Sequence, residues 1–191
     1  MEETFLRKKN EEFIRKIKEN DPSYFNELRK GQNPEYFVLS CSDSRVSPSV
    51  ITEMPLGKMF IHRNIANQVN LDDESFSAGL YFALKHLKIK KIIIEGHTYC
   101  GGIKAAWEEN EEENLRCWLN NVRESLPEKP LKRDIPEDAL ARINVQSQVE
   151  KLKSHPVYMD YGTDIEIIGC LFHVESGELE WLDTEDKEEE N

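Results

Sequence analysis

No stretch of this chain approaches the ~20 consecutive apolar residues needed to cross a bilayer, and Met1-Glu2-Glu3-Thr4 begins no secretory leader. Cysteine is scarce. Its four copies in 191 residues do not fall into a disulfide framework, and one of them stands three positions after a histidine. These absences predict a protein of the reducing cytoplasm. Basic residues are the minority, 25 Lys and Arg against 37 Asp and Glu, and the formal charge of −12 argues against nucleic acid or an anionic membrane as partner. No internal repeat is visible. The length suffices for one domain with a full hydrophobic core.

What the chain does have is apolar runs alternating with amphipathic ones. Residues 36–39, 92–94 and 165–172 are rich in branched and aromatic side chains and read as strands buried on both faces. Residues 58–62 form a weaker fourth strand, and 178–182 alternates as an exposed edge strand does. Between them, residues 74–87 place Phe76, Leu80, Ala83, Leu84 and Leu87 on one helical stripe, and Leu115, Trp118, Leu119 and Val122 form another. Alternation of this kind predicts an α/β fold around a parallel sheet. Residues 2–20 read as a charged helix with a narrow stripe of Leu6, Phe13 and Ile17, lying either on its own domain or on a second subunit. Residues 125–138, with three prolines, read as a loop, 108–113 as a solvated charged turn, and 183–191 as a frayed acidic tail.

Two short motifs carry the chemistry: Cys41-Ser42-Asp43-Ser44-Arg45 and Gly96-His97-Thr98-Tyr99-Cys100-Gly101-Gly102. Two thiols and one imidazole are a soft donor set suited to zinc, and three protein ligands leave a fourth position for water, as in catalytic zinc sites. Cys41 follows the first predicted strand and His97 the run ending at Glu95. Both therefore fall at carboxyl ends of parallel strands, where α/β sheets bind ligands. Cys100 precedes a predicted helix, whose N-terminus favours thiolate. Rival motifs fail on spacing. Gly102 stands where a Walker A loop needs lysine, and Thr98 where a dinucleotide loop needs its second glycine. A nucleophilic pair of Cys41 and His97 remains open, but it leaves Cys100 unexplained.

Cys41-x-Asp43-x-Arg45 followed by His97-x-x-Cys100-Gly101-Gly102 resembles the β-class carbonic anhydrases. The likeness continues through His62-Arg63-Asn64-Ile65-Ala66-Asn67, Asn144-Val145-x-x-Gln148-Val149 and residues 169–183. It implies a central parallel sheet of four strands with an additional edge strand, flanked by helices, and a homodimer or dimer of dimers. The implied division is an N-terminal helical arm (1–30), a zinc-containing catalytic domain (31–183) and an acidic tail (184–191). The implied reaction is the reversible hydration of carbon dioxide to bicarbonate and a proton by zinc-bound hydroxide. Relatives on the same scaffold hydrolyse carbon disulfide or carbonyl sulfide, and a non-catalytic zinc scaffold or sensor is the third alternative. By motif, Cys41, His97 and Cys100 would hold one Zn²⁺ per chain. Asp43, held by a bidentate pair with Arg45, would orient the attacking hydroxide. Gln32 and the Gly101 N–H would bind substrate, with Phe60, Ile65 and Phe82 lining the pocket.

The remaining candidates have plainer readings. His62, His86, His155 and His173 lack metal spacing. Cys117 and Cys170 sit in apolar patterns and read as core, and Trp107, Trp118 and Trp181 as packing residues. One branch of the β class binds bicarbonate in a regulatory pocket of Trp, Arg and Tyr. The matching residues here are Val38, Arg63 and Phe172, so two of the three polar groups are missing. That mismatch, with Gln32, favours the plant-like branch, in which Asp43 stays on Arg45.

Overall fold

The computed structural model describes residues 3–128 and 135–182. The chain divides into two compact units, Met1–Asn33 and Pro34–Asn191. In the first, helices α1 (Glu3–Asn20) and α2 (Tyr24–Leu28) follow one another through Asp21, whose Oδ1 accepts from the backbone N–H and hydroxyl of Ser23 at 2.9 and 2.8 Å. Phe13 of the predicted apolar stripe meets Phe25 edge to face at 6.3 Å.

The second unit is built on one five-stranded sheet. Its strands are β1 (Tyr36–Cys41), β2 (Met59–Asn64), β3 (Lys91–His97), β4 (Glu166–Phe172) and β5 (Leu179–Leu182), in the order β2-β1-β3-β4-β5. The first four are parallel and β5 runs antiparallel to β4, as the resemblance implied. Phe37, Leu39, Ile92, Ile94, Ile167 and Leu171 bury themselves in the main core, while Val38, Ile93 and Cys170 form a smaller cluster. The main core is completed from helices α4 (Glu74–Tyr81), α5 (Gly101–Trp107), α6 (Glu113–Arg123), α7 (Glu137–Lys153) and α8 (Pro156–Tyr161), with α3 (Pro48–Ile51) after β1.

Chain direction across the sheet decides where a site can form. After β1 the chain moves to β2 on one side, then returns to lay β3 on the other. The connections therefore diverge above the carboxyl ends of β1 and β3, which opens a crevice at that switch point. Both strands run further than the apolar runs implied, so Cys41 and His97 are their last residues.

Several expectations change. The stripe over 74–87 is two elements: α4 carries an Asp73 cap accepting from Ser75 and Phe76 N–H, and residues Phe82–Leu87 form a π-helix. The loop at 125–138 gives way to α7 at Glu137, its residues 129–134 lying outside the described residues. The tail at 183–191 also lies outside them. Cys117 is exposed, not core: α6 buries Leu119 and Val122, and position 117 falls off that stripe. Trp181 is 55% exposed on the edge strand rather than packed.

Candidate metal centre

Each part of the site is placed by a local rule. Cys41 closes β1 with its side chain on the core face, 4% exposed. His97 closes β3 and is fully buried. After Thr98, Tyr99 takes a left-handed backbone (φ 55°), and this turn leads into Cys100, the N-cap of α5. The ligand atoms of Cys41, His97 and Cys100 all lie within 4.8 Å of one another, so the three residues could hold a metal ion. The two sulfurs stand 3.9 Å apart as free thiols, far beyond the ~2.05 Å of a disulfide.

The imidazole supplies a test of fit. His97 Nδ1 lies 2.8 Å from Thr98 O. A carbonyl only accepts, so Nδ1 carries the proton and Nε2 offers its lone pair. Nε2 is buried with no hydrogen-bond partner. A buried acceptor left in that state is costly unless an electrophile meets it. Two sulfurs and this nitrogen match zinc's donor preferences.

One of the two sulfurs is already disposed towards negative charge. The Cys100 thiol and then the His97 ring beside Cys41, with backbone N–H groups of Asp43 and Ala66, draw Cys41 towards thiolate, and the contact with Cys41 together with burial holds Cys100 up as the thiol. Arg45 grips Asp43 with Nε on Oδ1 at 3.0 Å and a terminal nitrogen on Oδ2 at 2.8 Å. These hydrogen bonds keep Asp43 well below the usual carboxylate range. The same guanidinium reaches Tyr99 O at 3.0 Å, which ties the two motifs together. Asp43 Oδ2 stands 3.8 Å from His97 Nε2.

The five residues of the two motifs thus converge. Gly101 opens α5 beside them with open space around it. Gln32 belongs to the other unit and is exposed there. Phe60 and Phe82 stack obliquely at 5.9 Å, and Ile65 and Phe82 are 39% and 41% exposed. The four other histidines stand outside the cluster: His155 caps α8, His173 pairs with Glu180, His62 packs on Phe76 and His86 on Phe82.

Sequence reading undervalued Arg63. Its guanidinium donates to Cys41 O, Asp43 O and Val46 O at 2.9, 2.8 and 2.7 Å, pinning the loop that carries Asp43 and Arg45. Only the pairing of Ser40 with Arg63 across β1 and β2 brings it there, and one sequence cannot show that register.

Among the described residues no helix is long and apolar enough to cross a membrane. Residues 36–179 match the family described as carbonic anhydrase. A carbonic anhydrase of Emericella nidulans is 40% identical over 147 residues, 76% of this chain and 64% of that protein, so the chain spans about two thirds of that relative's length. A β-carbonic anhydrase of Aspergillus fumigatus superposes with a TM-score of 0.84 at 31% identity, over 97% of this chain and 93% of the other. A tetrameric β-carbonic anhydrase of Sordaria macrospora gives 0.84 at 29% identity, over 94% and 95%. With the paired thiols, the imidazole and the Asp43–Arg45 pair in one crevice, and with the family's sequence pattern over most of its length, this chain belongs to the β-carbonic anhydrases.

Proposed function

We propose that the chain catalyses the reversible hydration of carbon dioxide to bicarbonate and a proton, with one Zn²⁺ held by Cys41, His97 and Cys100. The observation that carries this reading is the buried, unpartnered Nε2 of His97 facing two thiols, with an ionised carboxylate beside it. Zinc bound there supplies a Lewis acid that lowers the pKa of a coordinated water from 15.7 towards about 7.

The protein's own groups do the rest. Thr98 O fixes the His97 tautomer. Asp43 Oδ2 accepts a hydrogen bond from the attacking oxygen and so aims a lone pair at carbon dioxide. Arg45 keeps that carboxylate ionised and would stop it from rotating onto a bound metal. Gly101 N–H would bind a substrate oxygen, and Phe60, Ile65 and Phe82 would supply apolar walls. Arg63 commits Nε and both protons of one terminal nitrogen to three carbonyls. Together with Val38 and Phe172, this supports the branch without a regulatory bicarbonate pocket. Activity should therefore fall smoothly with pH as one proton is taken up; a steep, cooperative loss below neutrality would place the chain in the other branch.

A cytoplasmic setting and pairing into dimers or tetramers complete the proposal, the tetrameric Sordaria relative supporting the second point. Stopped-flow assay of carbon dioxide hydration, run beside carbon disulfide and carbonyl sulfide hydrolysis on the same zinc-loaded sample, tests the reaction. Fast hydration with no sulfide release supports it; the reverse result assigns the chain to the hydrolases, and inactivity towards all three assigns it a non-catalytic role.

A further inference from the structure

Immediately after β2, Ala66 and Asn67 both adopt left-handed backbone, with φ of 62° and 47°. Asparagine tolerates this region but alanine is strained there, so the turn has to be held from outside. Its carbonyls show how. Trp118 Nε1 donates to Ile65 O at 2.9 Å, and Gln68 Nε2 and Asn144 Nδ2 both donate to Ala66 O, at 2.7 and 3.1 Å. Gln148 Oε1 accepts the Val69 N–H at 2.8 Å, and Gln148 Nε2 reaches Ser125 Oγ at 2.6 Å. Gln68, Asn144 and Gln148 are all fully buried. On its other side the turn abuts Gly102, where an added Cβ would come within 2.5 Å of Ile65 Cγ2.

Space-filling does not explain this arrangement. On α7, Leu140, Val145, Val149 and Leu152 fill the core with hydrocarbon, and amides buried among them are costly unless their bonds are met. What the clamp delivers is one N–H. Ala66 N points at Cys41 Sγ, 3.4 Å away.

We propose that Asn144 and Gln68, braced by Gln148, are positioning residues of the metal centre. By gripping Ala66 O they hold the left-handed backbone of Ala66 and so, together with Trp118 on Ile65 O in the adjoining peptide plane, keep the Ala66 N–H on the Cys41 sulfur, and that hydrogen bond withdraws electron density from the thiolate ligand. Two thiolates cancel the charge of a zinc dication and weaken it as a Lewis acid; a donor on one sulfur restores part of that acidity. The inference rests on Cys41, His97 and Cys100 being the ligands.

Loading the unmutated protein with cadmium-113 tests both points separately by NMR. Couplings from the metal to the β-protons of Cys41 and Cys100 report the ligands. A further coupling to the Ala66 amide proton, transmitted through N–H···S, is the result expected here. Ligand couplings without the Ala66 coupling overturn this inference alone; missing ligand couplings overturn the assignment of the centre. In the cobalt-loaded protein, Asn144→Ala should move the thiolate-to-cobalt charge-transfer band to lower energy and weaken metal binding roughly tenfold. Val149→Ala, on the same helix and equally buried but outside the network, should lower the melting temperature and leave the band in place. Equal band shifts in the two variants, or none in Asn144→Ala, would make the network mere packing. Should Asn144→Ala not fold, the cadmium experiment decides.

Discussion

The crevice beyond β1 and β3 and the sheet face bearing Val38, Ile93 and Cys170 each hold a thiol and a carboxyl group, with opposite outcomes. In the crevice, the Cys100 thiol and backbone donors draw Cys41 towards thiolate, and Arg45 keeps Asp43 ionised. On the other face, burial pushes the Cys170 thiol up. Burial likewise raises Glu95 to about 7, against the weaker opposing pull of the Ser40 hydroxyl at 2.8 Å. Burial alone therefore draws these groups towards the neutral form; aimed donors draw them towards the anion. Of these two regions it is the crevice, with its anions and the bare Nε2 of His97, that is prepared for a cation.

The largest effect should separate the two thiols. Cys41→Ser is expected to lose zinc and to lower carbon dioxide hydration by more than ~100-fold, while Cys170→Ser retains one zinc per chain by elemental analysis. Equal metal loss in both would erase the distinction. Next come the carboxyl groups. Asp43→Asn should keep zinc yet reduce turnover about 10–100-fold, because an amide cannot accept from the attacking oxygen while still pairing with Arg45. Unchanged turnover would remove the pair from the reaction.

Glu95 sharpens the comparison through pH. Its folded pKa is raised to about 7, whereas the unfolded side chain titrates near ~4.3. The folded state therefore holds the proton more tightly, and this residue's contribution to stability declines as pH rises between those values. Glu95→Gln has no such proton, so its stability relative to the parent should climb across that window by roughly 2–3 kcal/mol and level off above it. Denaturant midpoints measured from pH 4.5 to 8 check this, and parallel curves would mean that Glu95 is ionised in the fold. A smaller loss, roughly 2 kcal/mol at neutral pH, is expected for Arg63→Met, which leaves the carbonyls of Cys41, Asp43 and Val46 without their donor.

The ligands and the Asp43–Arg45 pair were legible in the sequence because short spacing and strand ends place them almost by themselves. The parallel sheet was legible because β1, β3 and β4 are apolar on both faces. Helix α7 was not, since Asn144 and Gln148 interrupt its buried stripe, and those same amides hold the turn beside Cys41. Arg63 and Ala66 escaped for a related reason. Their roles depend on contacts 17 to 25 residues away in sequence, which no local pattern encodes. Cys117 was misplaced because an apolar neighbourhood was read without its helical phase.

Diffraction data collected at the zinc absorption edge, from crystals grown near neutral pH, test the account most directly. The result expected is one anomalous peak per chain among Cys41 Sγ, His97 Nε2 and Cys100 Sγ, with Asp43 still paired to Arg45. A crevice without metal, or a metal ligated by Asp43 at that pH, would contradict it.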